Sequence, residues 1–208
     1  MFKSFSKSLT ALFAVFIIAG CSESNEPQLG KQFQKVPADL SSFDLAPVTE
    51  VFSLNCGHCR TMEDSIPEIE SLTNQKVGKV HVTFNESAQI SAMIFYTAVM
   101  QLNDTPDHAF MSDLFAAVQM GGDVTPEQRQ QALDSAFSSR NLVSPYQLNK
   151  EQQVALFEYL KKADDISVNG QINSVPTFIV NGKYQVLTAG HNDVQGIANT
   201  INYLLTQP

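Results

Sequence analysis

The segment that most restricts the fold of this chain is Cys56-Gly-His-Cys59. It follows an apolar, β-rich run over residues 48–54 and precedes a segment with helical character, which places it on a strand-to-helix turn. A thiolate at a helix N-terminus is stabilised by free backbone N–H groups and by the positive end of the helix dipole. Two cysteines at this spacing can also close a small disulfide. The motif therefore predicts redox chemistry at the start of a helix.

A metal site is the main alternative interpretation of the same motif. Two cysteines at this spacing form half of a zinc site, which needs four ligands. The chain holds one further cysteine, Cys21, and no second cysteine pair. His58 would supply a third ligand and leave a distant fourth to be found. The sequence therefore favours redox chemistry, and we expect neither a metal ion nor a cofactor.

The first twenty-one residues predict export of the protein. Lys3 and Lys7 form a basic start, and residues 9–18 are apolar apart from one threonine. This stretch is too short to span a bilayer and has the length of a secretory signal. Its end, Ile18-Ala19-Gly20-Cys21, resembles the bacterial lipobox, in which cleavage precedes a lipid-modified cysteine; leucine is more usual at the first position. We expect residues 1–20 to be a lipoprotein signal peptide.

The residues that follow predict a lipid anchor on a tether. Residues 21–32 begin with a polar run that is typical of a flexible linker. An ordinary cleaved signal with a coincidental cysteine is the alternative to lipidation of Cys21. Ser22 stands where inner-membrane lipoproteins often carry aspartate, which favours the outer over the inner membrane.

Charge and cysteine number narrow the function further. The formal net charge of −8 becomes −10 without residues 1–20, because they hold two lysines and no acids. Such a surface argues against nucleic acid as a partner and against a polybasic membrane patch. If Cys21 carries lipid and the other two cysteines form a redox pair, no structural disulfide remains. Residues 30–208 must then be held by a hydrophobic core, for which they are long enough.

The coarse secondary structure begins with a βαβ unit and continues with helices. A helix that starts near Cys56 should kink or restart at Pro67, and residues 79–84 alternate as a strand does. Residues 87–165 are helical in pattern, with one helix opened by Pro106 and ended by the glycines at 121–122. The stretches 125–128 and 144–147 each combine a capping hydroxyl, a proline and a glutamine in the order of a helix start.

The end of the chain returns to sheet. Residues 177–180 and 183–187 flank Asn181-Gly182, a type I′ turn signal, and predict a β-hairpin. The stretch 193–205 carries an apolar stripe and predicts a closing helix.

This order of elements resembles the DsbA family of thiol:disulfide oxidoreductases. The likeness runs from about residue 30 to the C-terminus and includes the hairpin segment Val180-Asn-Gly-Lys-Tyr184. It implies an α/β protein with a thioredoxin-like fold and an inserted all-helical domain. The thioredoxin-like part would comprise residues 33–85 and 167–208, and the helical insertion residues 86–166.

The resemblance assigns the cysteine motif residue by residue. Cys56 matches the exposed nucleophile and Cys59 the buried resolving thiol, and together they would form the Cys56–Cys59 disulfide. His58 matches a histidine that favours the reduced thiolate form and so makes the disulfide more oxidising. Gly57 departs from the proline usual at its position, which leaves the redox potential and the substrate range open.

Five further residues match the surroundings of the family's active site. Val175-Pro176 resembles the cis-proline loop that pairs with the substrate backbone. Glu50 matches a buried acid beneath the site, and Glu63 and Lys79 match its charged neighbours. Taken without the family, Val175-Pro176 would be an ordinary trans turn, Glu50 could be a surface residue of an edge strand, and Glu63 and Lys79 would be solvated charges. His81, His108 and His191 receive no catalytic role.

Three functions remain open from the sequence. The first is a periplasmic oxidase that passes its disulfide to reduced secreted proteins and is reoxidised by a membrane quinone-linked partner of the DsbB type. The second is a reductase or isomerase with the same cysteines. The short N-terminal segment leaves no space for the dimerisation domain usual in isomerases, which favours a monomeric oxidase. The third is a non-catalytic, chaperone-like binding module.

Overall fold

The computed structural model describes residues 26–208. The predicted signal peptide and Cys21, the predicted site of lipid attachment, lie outside these residues. None of the helices in the described region is long and apolar enough to cross a membrane. The strands are β1 (Phe33–Lys35), β2 (Val48–Phe52), β3 (Val77–His81), β4 (Thr177–Val180) and β5 (Tyr184–Val186). The α-helices are α1 (Gly57–Glu63), α2 (Ile66–Thr73), α3 (Glu86–Leu102), α4 (His108–Val118), α5 (Pro126–Ser138), α6 (Lys150–Asn169) and α7 (Val194–Leu205).

The strands of the described region form one mixed sheet in the order β1-β5-β4-β2-β3. β2 and β3 are parallel, and the other neighbouring pairs are antiparallel. Every residue of β2 is buried, as its apolar pattern predicts for a central strand. The register places Glu50 of β2 directly beside Lys79 of β3. A charged pair thus joins the edge strand β3 to its neighbour β2.

The first helical segment divides in two where proline interrupts it. α1 ends at Glu63, and α2 begins at Ile66 with Pro67 in its first turn, because proline cannot donate the hydrogen bond of a helix interior. The restart predicted at Pro67 is therefore confirmed. α2 shares an apolar core with α7 and the strands, formed by residues such as Ile69, Phe178 and Ile201.

The helices α3 to α6 have a core of their own that extends to the cysteine motif. Phe95, Phe110 and Phe137 are fully or almost fully buried within it. Leu54 and Cys59 belong to the same cluster. The second cysteine is therefore packed against the helical part of the protein rather than against the sheet alone.

The two predicted helix starts had different outcomes. Thr125 caps α5 in a capping box with Gln128, as predicted. The start predicted at 144–147 is wrong: residues Pro145–Gln147 form a single 3-10 turn, and α6 begins later with Asn149 as its cap. The Ser144 hydroxyl donates a hydrogen bond to Asp134 instead of capping a helix. Because its hydroxyl bonds Asp134, Ser144 makes no capping hydrogen bond to the backbone that follows it.

Other boundaries moved by a few residues. The strand predicted over 79–84 is β3, Val77–His81, and the helix expected to open at Pro106 is α4, which is capped by Asp107. The hairpin turn is confirmed: Asn181 and Gly182 have φ values of 51° and 68°, which a type I′ turn requires. The register pairs Val180 with Tyr184 and so leaves the intervening lysine as an extra residue in the hairpin.

Candidate active site

The two cysteines occupy different environments at the start of α1. Cys56 is the N-cap residue, and its Sγ accepts a hydrogen bond of 3.2 Å from the backbone N–H of Cys59. Cys56 is half-buried, whereas Cys59 has no exposed surface. Both are free thiols. Burial, followed by the hydrogen bond with Cys56, raises the pKa of the Cys59 thiol. The geometry thus provides one accessible thiol and one that is held neutral.

Two side chains outside the motif hold its backbone in place. The buried His81 accepts the N–H of Leu54 at Nε2 (2.9 Å), while its Nδ1 lies 2.7 Å from the carbonyl of Val82. Burial lowers the pKa of His81 to about 4, so the imidazole is neutral and keeps this pair of bonds. Gln119 donates from Nε2 to the carbonyls of Leu54 (2.8 Å) and Cys56 (3.1 Å).

Sequence reasoning missed both of these positioning residues. His81 was placed on a strand but given no role, and Gln119 carried no signal at all. Gln119 stands just after α4, more than sixty residues from Cys56 in the chain, so only the packing of the helical insertion brings the two together.

The loop before β4 lies against the first cysteine. The Val175–Pro176 peptide bond is cis, and the carbonyl oxygen of Val175 is 3.7 Å from Cys56 Sγ. The Pro176 carbonyl accepts a hydrogen bond of 2.8 Å from the Thr188 hydroxyl, which ties the loop to the segment after β5. The predicted cis bond and its contact with Cys56 are confirmed.

A groove of about 480 Å³ runs beside this loop. His58 is exposed and lines the groove with the 174–177 loop, Met62 of α1, Ile197 of α7 and residues 187–189. Gly57 is also exposed, and a Cβ added there would meet no atom within 4 Å. Neighbouring atoms therefore do not exclude a larger residue at position 57, although the family's usual proline is missing.

A chain of charged groups lies beneath the cysteines. Lys79 Nζ is 2.5 Å from Glu50 Oε2 and 2.7 Å from Glu63 Oε2, and all three side chains are at least 96% buried. Glu63 Oε1 is in turn 3.1 Å from Nδ1 of His108, whose side chain is 47% exposed. The surface interpretation of Glu50 is wrong, as is that of Glu63 and Lys79 as solvated charges. His108, which received no role, joins the group.

One ammonium group serves two carboxylates in this network. Burial raises the pKa of Glu50, and the attraction of Lys79 only partly opposes it. The two carboxylates outweigh the cost of burial for Lys79, so the pKa of the ammonium is raised and it keeps its charge. Glu63 follows Cys59 by one turn of α1 and both side chains are buried, so the network lies on the same face of this helix as the buried sulfur. The charge of Glu50 adds, as the smallest of several causes, to the raised pKa of Cys59. The network can therefore hold a proton close to Cys59.

Side chains that could bind a metal are not clustered in the part of the chain that the structure describes. No group of three or more His, Cys, Asp or Glu side chains within residues 26–208 is arranged to hold an ion. The cysteine pair is instead flanked by the cis-proline loop on one side and the buried charges on the other.

Comparison with known proteins places the chain among redox proteins. A thioredoxin family model matches residues 45–202. A thiol:disulfide interchange protein DsbA from Buchnera aphidicola subsp. Schizaphis graminum (strain Sg) is 26% identical, with 86% of each chain covered. The protein of that name from Azotobacter vinelandii is 22% identical, with 95% of this chain and 92% of the relative covered.

Solved structures share the fold at lower identity. The disulfide oxidoreductase DsbA from Proteus mirabilis superposes with a TM-score of 0.63 at 17% identity, covering 88% of this chain and 99% of that one. DsbA from Pseudomonas aeruginosa superposes with a TM-score of 0.62 at 19% identity, covering 86% of this chain and 93% of that one. The fold and the cysteine pair together define a disulfide oxidoreductase. The chain belongs to the thioredoxin family. Within that family it is similar to DsbA, a thiol:disulfide interchange protein.

Proposed function

We propose that the protein is a periplasmic oxidase that donates a Cys56–Cys59 disulfide to reduced secreted or envelope proteins through a mixed disulfide. The observation that carries the proposal is the asymmetry of the pair: Cys56 is accessible beside the cis-proline loop, and Cys59 is buried with a raised pKa. A membrane quinone-linked partner of the DsbB type would restore the disulfide. DsbA from Proteus mirabilis has been solved with a non-covalently bound peptide, PWATCDS, which supports a peptide client here.

The first step is attack on the accessible sulfur. A client thiolate forms a bond to Cys56 Sγ, the Cys56–Cys59 bond breaks, and its electron pair leaves on Cys59 Sγ. Because burial disfavours the Cys59 thiolate, that sulfur takes up a proton. Glu50, whose pKa burial raises and which Lys79 connects to Glu63 one turn after Cys59, is the group to which we assign this proton.

The second step releases the oxidised client. A second client thiolate attacks the client sulfur of the mixed disulfide, and Cys56 departs as a thiolate. The Cys59 N–H, 3.2 Å from Cys56 Sγ, stabilises that charge as the helix N-cap does for an anion. The client loses two electrons and the protein gains them, so the protein ends as the dithiol.

The loop and the groove position the client. Val175 and Pro176 stand beside Cys56, so an extended client backbone can lie along this loop. His58 lines the groove where a client would lie, and Gly57 leaves open space next to the attacked sulfur.

Single-cysteine variants test the function. Cys59→Ser that carries glutathione as a mixed disulfide on Cys56 should exchange the glutathione for a reduced single-cysteine peptide and hold that peptide, because the resolving thiol is missing, whereas Cys56→Ser should hold none. The parent protein, supplied as the disulfide, should oxidise a reduced two-cysteine peptide in a single turnover, followed by mass spectrometry.

Two other results would contradict the proposal. Reduction of insulin by the dithiol form that outpaces oxidation of the peptide would indicate a reductase or isomerase. Peptide binding without any thiol exchange would indicate a binding module.

Lipid attachment at Cys21 forms part of the proposal, and it is motivated by the Ile18-Ala19-Gly20-Cys21 ending. The mature protein should begin at Cys21 with two or three acyl chains, since stable anchoring needs more than one. Mass spectrometry of the membrane-extracted protein measures this, with Cys21→Ala as the variant expected in the soluble periplasmic fraction. An unmodified N-terminus elsewhere, on soluble parent protein, would exclude the anchor.

A further inference from the structure

The buried charges beneath the cysteines form a continuous path that reaches the surface at one residue. The contacts run from His108 Nδ1 to Glu63 (3.1 Å), from Glu63 to Lys79 (2.7 Å) and from Lys79 to Glu50 (2.5 Å). Glu50, Lys79 and Glu63 are almost completely buried, but nearly half of the His108 side chain is exposed. His108 is therefore the point at which this path meets solvent.

The charges of the three buried groups do not balance among themselves. Two buried carboxylates share a single ammonium, which leaves one negative charge in excess when all three groups are ionised. Buried charge without a partner is costly, so the excess must be met by a bound proton or by another cation. The imidazole of His108 contacts Glu63 at the outer end, where it can bring in such a proton. Glu50 Oε1, at the inner end, makes no hydrogen bond within the described structure and is free to carry a proton.

We infer that His108 is the entry point for the proton that Cys59 takes up when the disulfide is reduced, which makes it a positioning residue for thiol exchange rather than a catalytic one. The inference rests on the proposed function only in assigning Cys59 as the leaving sulfur. The cysteine motif in the sequence gives no indication of a role for His108. The position of His108 on α4 brings its imidazole to Glu63.

The transfer is balanced at each contact. As the Cys59 sulfur leaves, it takes the proton of Glu50, and the ammonium of Lys79 passes a proton to Glu50 in its place. The imidazolium of His108 protonates the carboxylate of Glu63, Glu63 hands that proton to Lys79, and His108 recovers its own proton from water. On reoxidation the same steps run in the opposite direction, and Cys59 loses its proton to Glu50.

Replacing His108 with glutamine tests this path, because glutamine keeps a hydrogen-bond donor and cannot titrate. The oxidised full-length mature protein is reduced with dithiothreitol, and the rate is followed between about pH 5 and 8, where histidine changes its charge. We expect His108→Gln to slow reduction by roughly threefold to tenfold at the acidic end, less than a direct general acid would contribute. The difference should shrink towards the alkaline end.

The groups facing His108 must be considered in the same experiment. Glu63 of α1 contacts the imidazole, Lys79 of β3 and Glu50 of β2 lie behind it, and the neighbouring Asp107 caps the helix. In a Glu63→Gln background, His108→Gln should have no additional effect, because the path is already cut.

Ser112→Gln is the matched control, since Ser112 is exposed on the same helix and lies outside the network. Its rates should equal those of the parent at every pH. Alkylation of Cys56 in the reduced protein should be unchanged in His108→Gln, because that reaction delivers no proton to Cys59. A pH-independent effect of His108→Gln, no effect, or an effect that adds fully to Glu63→Gln would overturn the inference. Reduction by dithiothreitol needs no client, so this outcome is separate from whether the protein oxidises clients.

Discussion

Replacing Lys79 with methionine should lower the free energy of unfolding by about 3–5 kcal/mol, the usual cost of removing one partner from a buried ion pair. Methionine has nearly the length of lysine but no charge. Glu50 and Glu63 would then remain buried without the ammonium that lies 2.5 Å and 2.7 Å from them. Urea unfolding of the reduced protein, followed by circular dichroism, measures the change.

The loss of unfolding free energy in Lys79→Met should also depend on pH. Burial already raises the pKa of Glu50 in the folded protein, so the stability linked to this group is present below its ordinary pKa and is lost as pH rises through the folded value. Without Lys79 the folded pKa rises further. We therefore expect a larger loss at about pH 8 than at about pH 5, where the carboxylates can take up protons at less cost.

Two variants make the result specific. Lys76 is 95% exposed and lies 3.9 Å from Glu70, so Lys76→Met should change stability little. Adding Glu50→Gln and Glu63→Gln to Lys79→Met should restore part of the lost free energy, because no buried charge remains. An equal loss of unfolding free energy in Lys76→Met and Lys79→Met would show that the buried ion pairs of Lys79 contribute no more to stability than an exposed one.

Reduction of the Cys56–Cys59 disulfide should raise the thermal stability of the protein, the reverse of the effect of a structural disulfide, which restricts the unfolded chain. The reduced form can carry a thiolate on Cys56, which the N–H of Cys59 at 3.2 Å stabilises, whereas the closed disulfide has no charge to be stabilised. Stabilising the dithiol makes the disulfide more oxidising, by ~30 mV for every ~1.4 kcal/mol.

The measurement compares the melting temperatures of the oxidised and reduced forms. A double Cys56→Ser, Cys59→Ser variant serves as the control and should melt at the same temperature with and without dithiothreitol. Gly57 is the residue that most bears on the size of the effect, since the family's usual proline is replaced by glycine in an exposed position next to Cys56. A higher melting temperature for the oxidised form would contradict the assignment as an oxidase.

Local sequence was sufficient for the features that depend on neighbouring residues. The Cys56 position follows from the strand before it and the helix after it, and the restart at Pro67 follows from the missing N–H of proline. The turn at Asn181-Gly182 follows from the positive φ values that these residues tolerate. The cis state of Val175–Pro176 was predicted by resemblance rather than by local chemistry.

Tertiary structure decided which side chains surround the cysteines. The charged network draws its members from four elements: Glu50 from β2, Glu63 from α1, Lys79 from β3 and His108 from α4. Taken alone in the sequence, glutamate and lysine are residue types that usually lie on the surface, and histidine is intermediate. Gln119 reaches the motif only because the helical insertion packs against it. The false helix start at Ser144 has the same cause, since a partner ten residues away took its hydroxyl. Propensity and capping act over a few residues, whereas burial and charge pairing depend on groups that only the folded chain brings together.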